Sequence, residues 1–204
     1  MLSFIENIGL ILQRYGAVFA QGLWNTLWLS FVSVFLGTFL GILVALGKLS
    51  RHKLLNGVVS TYIEIIRGTP ILLQLYFFWL ALPNILPSIS DTTCILSALV
   101  VNASAYIAEV IRAGIQAVDA GQREASLSLG MTERAIMTKV IFPQAIKNIL
   151  PALGNEVIVM IKQTSLASVF FFGELMTAYK QVQSTTFLAL EPLTISGLIY
   201  LFLT

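Results

Sequence analysis

The chain has 204 residues, of which 57% are hydrophobic and only 11% are charged, and its formal net charge is +2. Its mean hydropathy of +0.86 lies far from that of a soluble globular domain. The composition therefore excludes a soluble protein and predicts an integral membrane protein. The small positive charge is no sign of nucleic-acid binding, because basic residues also accumulate on the cytoplasmic side of membrane proteins.

The sequence offers little material for catalysis. Cys94 is the only cysteine and His52 the only histidine, which excludes an intrachain disulfide and any site built on several histidines. The sequence has no zinc-protease motif, no nucleophile elbow and no phosphate-binding loop. We therefore expect no catalytic residue, no metal site and no cofactor in this chain.

Long apolar segments predict the fold class. They can cross about 30 Å of hydrocarbon as helices, and they lack the alternation of barrel strands. The predicted fold is all-α, a membrane helical bundle forming a single domain over residues 1–204. Five spans are expected, at about 24–47, from about 55 to the proline-containing turn segment 83–87, at about 93–111 and 151–172, and from about 192 onwards.

The two ends of the chain raise separate questions. The first 15 residues fit either an amphipathic helix in the membrane interface or the start of a long tilted span. The last apolar segment has only about thirteen residues, whereas a crossing needs about twenty. We therefore expect the chain to end inside its last helix.

Basic residues predict the orientation. They cluster after the first span, at the end of the third span and in or directly after a polar loop at about 114–146, namely Lys48, Arg51, His52, Lys53, Arg112, Arg123, Arg134, Lys139 and Lys147. The outer segments hold only Arg14 and Lys180. By the positive-inside rule the clustered side is cytoplasmic, so we expect the N-terminus outside and the C-terminus inside.

The first span also carries a stripe of small residues at every fourth position, namely Ser33, Gly37, Gly41 and Ala45. Such stripes let two membrane helices approach closely. We expect helix packing here and attach no chemistry to it.

Two similar segments each place a carboxylate three residues before an arginine, as Glu64 and Arg67 and as Glu109 and Arg112. On a helix such pairs share a face. One interpretation is charge neutralisation at the cytoplasmic end of a span. The other is a gate or a clamp between helices, because the segment Gly68–Pro70 breaks the second span directly after the first pair.

Polar and charged residues interrupt the fourth span, where ionisable groups indicate function. At about 100° per residue, Glu156, Met160 and Gln163 fall on one face and Lys162 projects about 120° away from Glu156. The first face is suited to the ammonium and side chain of a polar solute, and Lys162 to a carboxylate. Alternatively, Lys162 forms a buried pair with an acid of another span. The candidate substrate-binding residues are Glu156, Met160, Lys162, Gln163, Thr164 and Ser165.

Several motifs in order along nearly the whole chain resemble those of one family. The polar loop resembles the signature loop of inner-membrane permease subunits of ATP-binding-cassette (ABC) importers, with Glu124-Ala-Ser126, Gly130 and Ile141-Phe-Pro-Gln-Ala145. Four further motifs resemble the branch that carries polar amino acids, of the histidine, glutamine and arginine type: Arg67-Gly-Thr-Pro70, Ala105-Tyr-Ile-Ala-Glu-Val-Ile-Arg112, Gly121-Gln-Arg-Glu124 and Lys162-Gln-Thr-Ser-Leu166. The resemblance implies a type I importer architecture in a bacterial cytoplasmic (inner) membrane.

In that family a short cytoplasmic helix, the coupling helix, docks on the ATPase subunit. The resemblance implies this role for Gln122, Arg123, Glu124, Ala125, Ser126 and Gly130. The residues themselves predict such a helix, since Asp119 and Gln122 offer N-terminal capping and Gly130 suits a left-handed stop. A second helix is predicted to begin at Thr132 and to end before Pro143.

The sequence departs from the family pattern at two positions. Ser126 replaces a second alanine, a change small enough to keep docking. Gln163 stands where many relatives have an acid, and its neutral amide removes one partner for a cationic side chain. Selectivity for arginine or lysine is therefore less secure, although Glu156 remains as an acidic group.

The resemblance implies a non-enzymatic transport subunit that moves polar L-amino acids by alternating access. The expected partners are ABC ATPase subunits that bind ATP and Mg, a second permease subunit that is identical or homologous, an extracytoplasmic solute-binding protein, and membrane lipid. The alternative is an ATPase-independent amino acid channel or secondary carrier. That alternative predicts flux driven by a gradient alone and no stable complex through residues 122–130.

Overall fold

The protein is represented by a computed structural model that describes residues 2–50 and 52–204. Within these residues all regular elements are helical, which confirms the predicted all-α class. The α-helices are α1 (Leu2–Lys48), α2 (Lys53–Gly68), α3 (Ile71–Ile85), α4 (Asp91–Gln116), α5 (Ala120–Ser128), α6 (Glu133–Ile136), α7 (Phe142–Gln163), α8 (Leu175–Thr186) and α9 (Leu190–Leu203). Arg51, one of the basic residues predicted to be cytoplasmic, lies outside the described residues.

The first helix begins far before the predicted limit at residue 24. Helix α1 is continuous over 47 residues, since it contains no proline. At about 1.5 Å per residue it is about 70 Å long, more than twice the hydrocarbon thickness. The first residues are therefore the start of a long helix that continues into the first predicted span, whereas their place in the membrane stays a prediction.

Helix α3 ends at Ile85, within the turn segment predicted at 83–87, although it contains Pro83. Two other predicted helix limits are wrong, and each of them involves a proline. Pro151 lies inside α7. Pro143 is the second residue of α7 and does not end the preceding helix, because the π-helical turn Met137–Ile141 joins α6 to α7. A π-turn widens the helix and changes its hydrogen-bond register, which accommodates a residue without an N–H.

The chain forms two compact units, each with its own core. The first comprises Met1–Ser33, Ile71–Leu99 and Val157–Thr204, and the second comprises Val34–Pro70 and Val100–Glu156. In the first unit α1 packs against α8 and α9 through Ile11, Phe19, Leu175, Ala178, Val182 and Ile195. Helix α8 was not predicted from the sequence.

In the second unit α1, α2 and α4 pack around Ala45, Ile63 and Ala108. Helices α1 and α4 approach closely at Gly37, where an added Cβ would lie 2.6 Å from the Cβ of Ala103. The predicted packing of the small-residue stripe is therefore confirmed in this unit.

The helix lengths agree with membrane spans. By length and composition, Ser3–Lys48 and Asp91–Gln116 can each cross a membrane alone. Two broken pairs pass the same test when each counts as one span, namely Lys53–Gly68 with Ile71–Ile85 and Glu133–Phe170 with Leu175–Thr186. The described chain thus has two to four candidate spans, and the apolar helix Leu190–Leu203 is shorter.

Candidate functional site

The second predicted span is broken where the sequence indicated. Helix α2 ends at Gly68, Thr69 has extended backbone with φ −115° and ψ 144°, and α3 begins at Ile71. Extended backbone is the preferred state of a residue that precedes proline, here Pro70. The Thr69 hydroxyl donates a hydrogen bond to the carbonyl of Ile65 at 2.8 Å, which satisfies one of the free carbonyls at the helix end.

An ion-pair cluster lies beside this break, within the second unit. The Glu109 carboxylate accepts hydrogen bonds from Arg112 Nε at 3.1 Å and from Arg112 Nη2 at 2.8 Å. The predicted pair at this position is therefore confirmed. Arg67 Nη1 lies 3.6 Å from the same carboxylate, and the Arg67 guanidinium lies 5.3 Å from the ring centroid of Tyr106. This contact links α2 to α4.

The partner of Arg67 differs from the prediction. The sequence paired it with Glu64 on its own helix, but the structure pairs it with Glu109 on α4. Glu64 is exposed. The cluster therefore forms a contact between helices, whereas its role as a gate stays a prediction.

Glu156 on α7 is the candidate substrate-binding residue in the same unit. It is half-buried, and none of the three salt bridges among the described residues includes it, so the charge of Arg67 acts on its carboxylate only from beyond salt-bridge distance. Arg67 therefore lies within electrostatic reach of two carboxylates, Glu109 and Glu156. A single arginine can in this way connect the ion-pair cluster to the candidate substrate residue.

The other candidate substrate residues lie near the end of α7, in the first unit. Met160 is buried, Gln163 is half-buried and Lys162 is exposed. The three salt bridges among the described residues do not include Lys162, so its predicted buried ion pair is not present there. After Gln163 the chain forms the 3₁₀ helix Thr164–Phe170, so the angular spacing of an α-helix no longer applies.

The hydroxyls of the last two candidates bond to the end of α7. The Thr164 hydroxyl donates to the carbonyl of Ile161 at 2.7 Å, and the Ser165 hydroxyl donates to the carbonyl of Lys162 at 2.6 Å. These bonds satisfy carbonyls that the change of helix type leaves free. Thr164 is fully buried, whereas the half-buried Ser165 hydroxyl still has acceptor capacity for a solute.

The short helix of the polar loop is capped at both ends as predicted. Asp119 Oδ1 accepts a hydrogen bond from the N–H of Gly121 at 2.7 Å, and Gly130 has a left-handed backbone with φ +77°. Thr132 caps α6 by accepting from the N–H of Ala135. Gln122 does not cap the helix with its side chain, which accepts a hydrogen bond from Gln144.

The faces of α5 show which residues a partner can reach. Gln122, Arg123, Glu124 and Ala125 are exposed, whereas Ser126 is 5% exposed and donates to the carbonyl of Gln122. The serine that departs from the family pattern therefore faces its own chain.

Two further features of the loop bear on docking. Arg123 pairs with Glu133, with Nε 3.3 Å from Oε2. Leu129 is 82% exposed, a feature that the sequence reasoning missed although a leucine in a polar loop was its signal.

Broken membrane helices beside charged groups are typical of membrane transport proteins. The fold and these groups define the class as a helical transport protein of the membrane. The sequence profile of the family described as "Binding-protein-dependent transport system inner membrane component" matches residues 37–204. The chain belongs to this family, the permease subunits of ABC transporters.

Relatives cover nearly the whole chain. The arginine transport system permease protein ArtQ of Bacillus subtilis (strain 168) is 39% identical over 88% of this chain and 83% of its own length. The nopaline transport system permease protein NocM of Agrobacterium fabrum is 35% identical, over 97% of this chain and 86% of its own.

Solved structures share the fold. A crystal structure of an amino acid ABC transporter with histidines matches with 48% identity and a TM-score of 0.91, covering 95% of this chain and 91% of that chain. An inward-facing MetNI methionine ABC transporter matches at 23% identity with a TM-score of 0.72, covering 90% of each chain, and shows the fold alone.

Family membership confirms several predictions made from the sequence. The fold is that of a type I ABC permease, and the chain is a component of the inner membrane. It is a transport subunit without enzymatic activity, and ATP hydrolysis belongs to a separate subunit.

Proposed function

We propose that this chain is the permease subunit of an ABC importer for polar L-amino acids. Substrate crosses the membrane by alternating access, which ATP hydrolysis in the partner ATPase drives. The strongest support is the likeness to an amino acid ABC transporter at 48% identity and a TM-score of 0.91 over 95% of the chain. The names of the arginine and nopaline permeases support the same substrate class.

The proposed topology has five spans, with the N-terminus outside and the C-terminus inside. It counts each broken helix pair as one span and α9 as the fifth. This places α5 and the basic residues Arg123, Arg134, Lys139 and Lys147 in the cytoplasm, in agreement with the positive-inside rule. A second permease subunit, identical or homologous, completes the pathway, and an extracytoplasmic solute-binding protein delivers substrate to the outer face.

Helix α5 is the proposed contact with the ATPase subunit, which binds ATP and Mg. Its support is structural: a nine-residue helix held by Asp119 at one end and Gly130 at the other, with Glu124 and Ala125 exposed. Caps at both ends make a short helix rigid, and a rigid helix can transmit motion from a partner. The exposed Leu129 adds an apolar contact for the docking groove.

Glu156 is the proposed acidic group of the substrate site. In this proposal the positive charge of Arg67 stabilises the Glu156 carboxylate from beyond salt-bridge distance in the absence of substrate. A cationic substrate would replace that interaction, and Arg67 would keep its contacts with Glu109 and Tyr106. This exchange gives the ion-pair cluster beside the α2–α3 break a role in gating.

The proposal is tested with the permease reconstituted in lipid with its ATPase subunit. ATP hydrolysis is measured across a panel of amino acids, with and without the solute-binding protein. We expect one group of polar amino acids to stimulate hydrolysis. If no ATPase complex forms and flux follows a gradient without ATP, the proposal fails and an ATPase-independent carrier takes its place.

A further inference from the structure

The first unit contains a cavity that none of the sequence motifs indicated. Its volume is about 640 Å³, within the range of small-molecule sites. The middle of α3, the start of α4 and the end of the 3₁₀ helix contribute its walls. Tyr76, Trp79, Phe170 and Phe171 supply aromatic rings, and Asp91 supplies the only charge among the lining residues.

The aromatic walls are ordered against one another. The ring centroids of Tyr76 and Phe170 lie 4.9 Å apart in an edge-to-face arrangement, and those of Trp79 and Phe170 lie 5.5 Å apart at 50°. The rings of Tyr76, Trp79 and Phe170 line the same cavity and are inclined to one another, so their faces point in different directions. Aromatic faces attract organic cations through the ring quadrupole when the cation lies within about 6 Å of the centroid.

Asp91 is positioned by the same aromatic wall. Its Oδ1 accepts a hydrogen bond from Trp79 Nε1 at 3.1 Å, which uses one of the two carboxylate oxygens. None of the salt bridges within residues 2–50 and 52–204 involves Asp91. Lys180 is not among the lining residues, and its ammonium donates to Ser168. The cavity therefore combines a carboxylate without a cationic partner and several aromatic rings.

Phe171 adds a conformational observation. Its backbone is left-handed, with φ 55° and ψ 24°, and its side chain is 87% exposed. A bulky residue rarely adopts this conformation, which is concentrated at functional sites. Phe171 is the residue that ends the 3₁₀ helix, and this left-handed stop brings an aromatic side chain to the rim of the cavity and leaves it exposed.

We propose that this cavity is an outer binding site for the cationic side chain of a basic amino acid, with Asp91 as counter-ion and Tyr76, Trp79 and Phe170 as the aromatic cage. The inference rests on the proposed function, because the proposed topology places the α3–α4 connection on the outer side. Asp91 also supplies an acidic group, whereas Gln163 is a neutral amide. A basic substrate would thus be concentrated at the outer face, whereas a neutral one would not.

The test uses the complete transporter in nanodiscs of phosphatidylglycerol, with 5-fluorotryptophan in the permease only. The ¹⁹F resonance of Trp79 is assigned by its loss in Trp79→Phe, and the exposed Trp24 serves as an internal reference. The probes are L-arginine, tetramethylammonium and L-glutamine at matched ionic strength. We expect saturable shifts of the Trp79 resonance with the two cations and none with glutamine.

Asp91→Asn keeps an acceptor for Trp79 but removes the charge. It should raise the arginine concentration that gives half of the Trp79 shift at least ten-fold. Glu6→Gln is the matched control, since Glu6 is exposed in the same unit and does not line the cavity. Its midpoint should equal that of the wild type.

Three outcomes overturn the inference: no shift with either cation, an equal shift with glutamine, or a shift that requires added phosphatidylethanolamine and is not displaced by arginine. The last outcome would assign the site to a lipid ammonium group. ATP hydrolysis on the same samples separates the two proposals. If amino acids stimulate ATP hydrolysis but do not shift the Trp79 resonance, the importer proposal stands and the outer site is rejected. If no amino acid stimulates ATP hydrolysis, the importer proposal is rejected with or without a shift of the Trp79 resonance.

Discussion

Arg67 on α2 lies 3.6 Å from the Glu109 carboxylate on α4, although Glu64 is one turn away on its own helix. Glu109 is at the same time held firmly by Arg112, whose guanidinium donates three hydrogen bonds to it at 2.8–3.1 Å. One carboxylate thus has a tight partner on its own helix and a looser one on another. The looser contact is the one suited to break and re-form during transport.

We expect Arg67→Ala to raise ATP hydrolysis in the absence of substrate about two-fold. Half-exposed ion pairs of this kind contribute about 0.2–1 kcal/mol. Losing such a pair changes the equilibrium between two conformations of the transporter by roughly two-fold. The measurement is basal hydrolysis by the reconstituted complex. Arg134→Ala is the control, because Arg134 is an exposed arginine outside the three salt bridges of the described chain.

Arg112→Ala should behave differently. Hydrogen bonds to a charged group contribute about 1.5–3 kcal/mol, so we expect a lower thermal midpoint of the permease. If Arg67→Ala lowers the midpoint as much and leaves basal hydrolysis unchanged, both arginines are structural and the gate is rejected.

A methyl group on Gly37 should disrupt the packing of α1 on α4. An added Cβ would lie 2.6 Å from the Cβ of Ala103, and overpacking of this kind costs about 1–3 kcal/mol. We expect Gly37→Ala to lower the thermal midpoint in detergent and Ala103→Gly to restore it in the double variant. Gly9→Ala on the same helix is the control, because nothing lies within 4 Å of its added Cβ. Equal effects at Gly9 and Gly37 would contradict the packing argument.

The parts of this structure that sequence predicted follow local rules. The break at Gly68–Pro70 follows from the geometry of proline, and the ends of α5 follow from Asp119 and Gly130. Glu109 and Arg112 meet because they are three residues apart on one helix. Each of these features depends on residues within a few positions of one another.

The features that sequence missed depend on distant contacts. Helix α8 is polar and short, and its cap Glu174 is fully buried, where it accepts hydrogen bonds from the N–H of Met176 and from the Tyr200 hydroxyl. Periodicity does not reveal a helix held in this way. Likewise, nothing in the spacing of Arg67 indicates a partner on α4, and no proline rule anticipates the π-turn before Pro143.

The left-handed stop of α5 gives a test of coupling. At φ +77° an L-residue is strained, and nothing lies within 4 Å of an added Cβ, so any effect of Gly130→Ala comes from the backbone alone. We expect a cost of about 1 kcal/mol and a weaker ATPase complex with normal membrane insertion. Gly130→Asn should bind more tightly than Gly130→Ala, because asparagine tolerates the left-handed region. Equal affinity of the wild type and Gly130→Ala for the ATPase would show that the left-handed end of α5 does not affect docking.

Phe187 ends α8 in the left-handed conformation, with φ 58° and a side chain that is 92% exposed. Asparagine suits this position and loses little burial, so we expect Phe187→Asn to stabilise the permease by up to about 1 kcal/mol. Phe187→Leu keeps the strain and should show no gain. The comparison is made by thermal unfolding in one detergent. A lower midpoint for Phe187→Asn than for the wild type would contradict the argument that the left-handed backbone of Phe187 is strained.

The charges of α7 give the most direct test of substrate preference. Glu156→Gln removes a charge-assisted contact, and a loss of about 1.4 kcal/mol or more would raise the half-maximal concentration of arginine for ATPase stimulation about ten-fold. The value for glutamine should change little, since a neutral side chain makes no ion pair with Glu156. Gln163→Glu is the reciprocal variant, because it adds an acid where the chain has an amide. We expect it to lower the half-maximal concentration of arginine or lysine. If both variants shift arginine and glutamine alike, the charge of α7 acts on the transport cycle and not on recognition of the side chain.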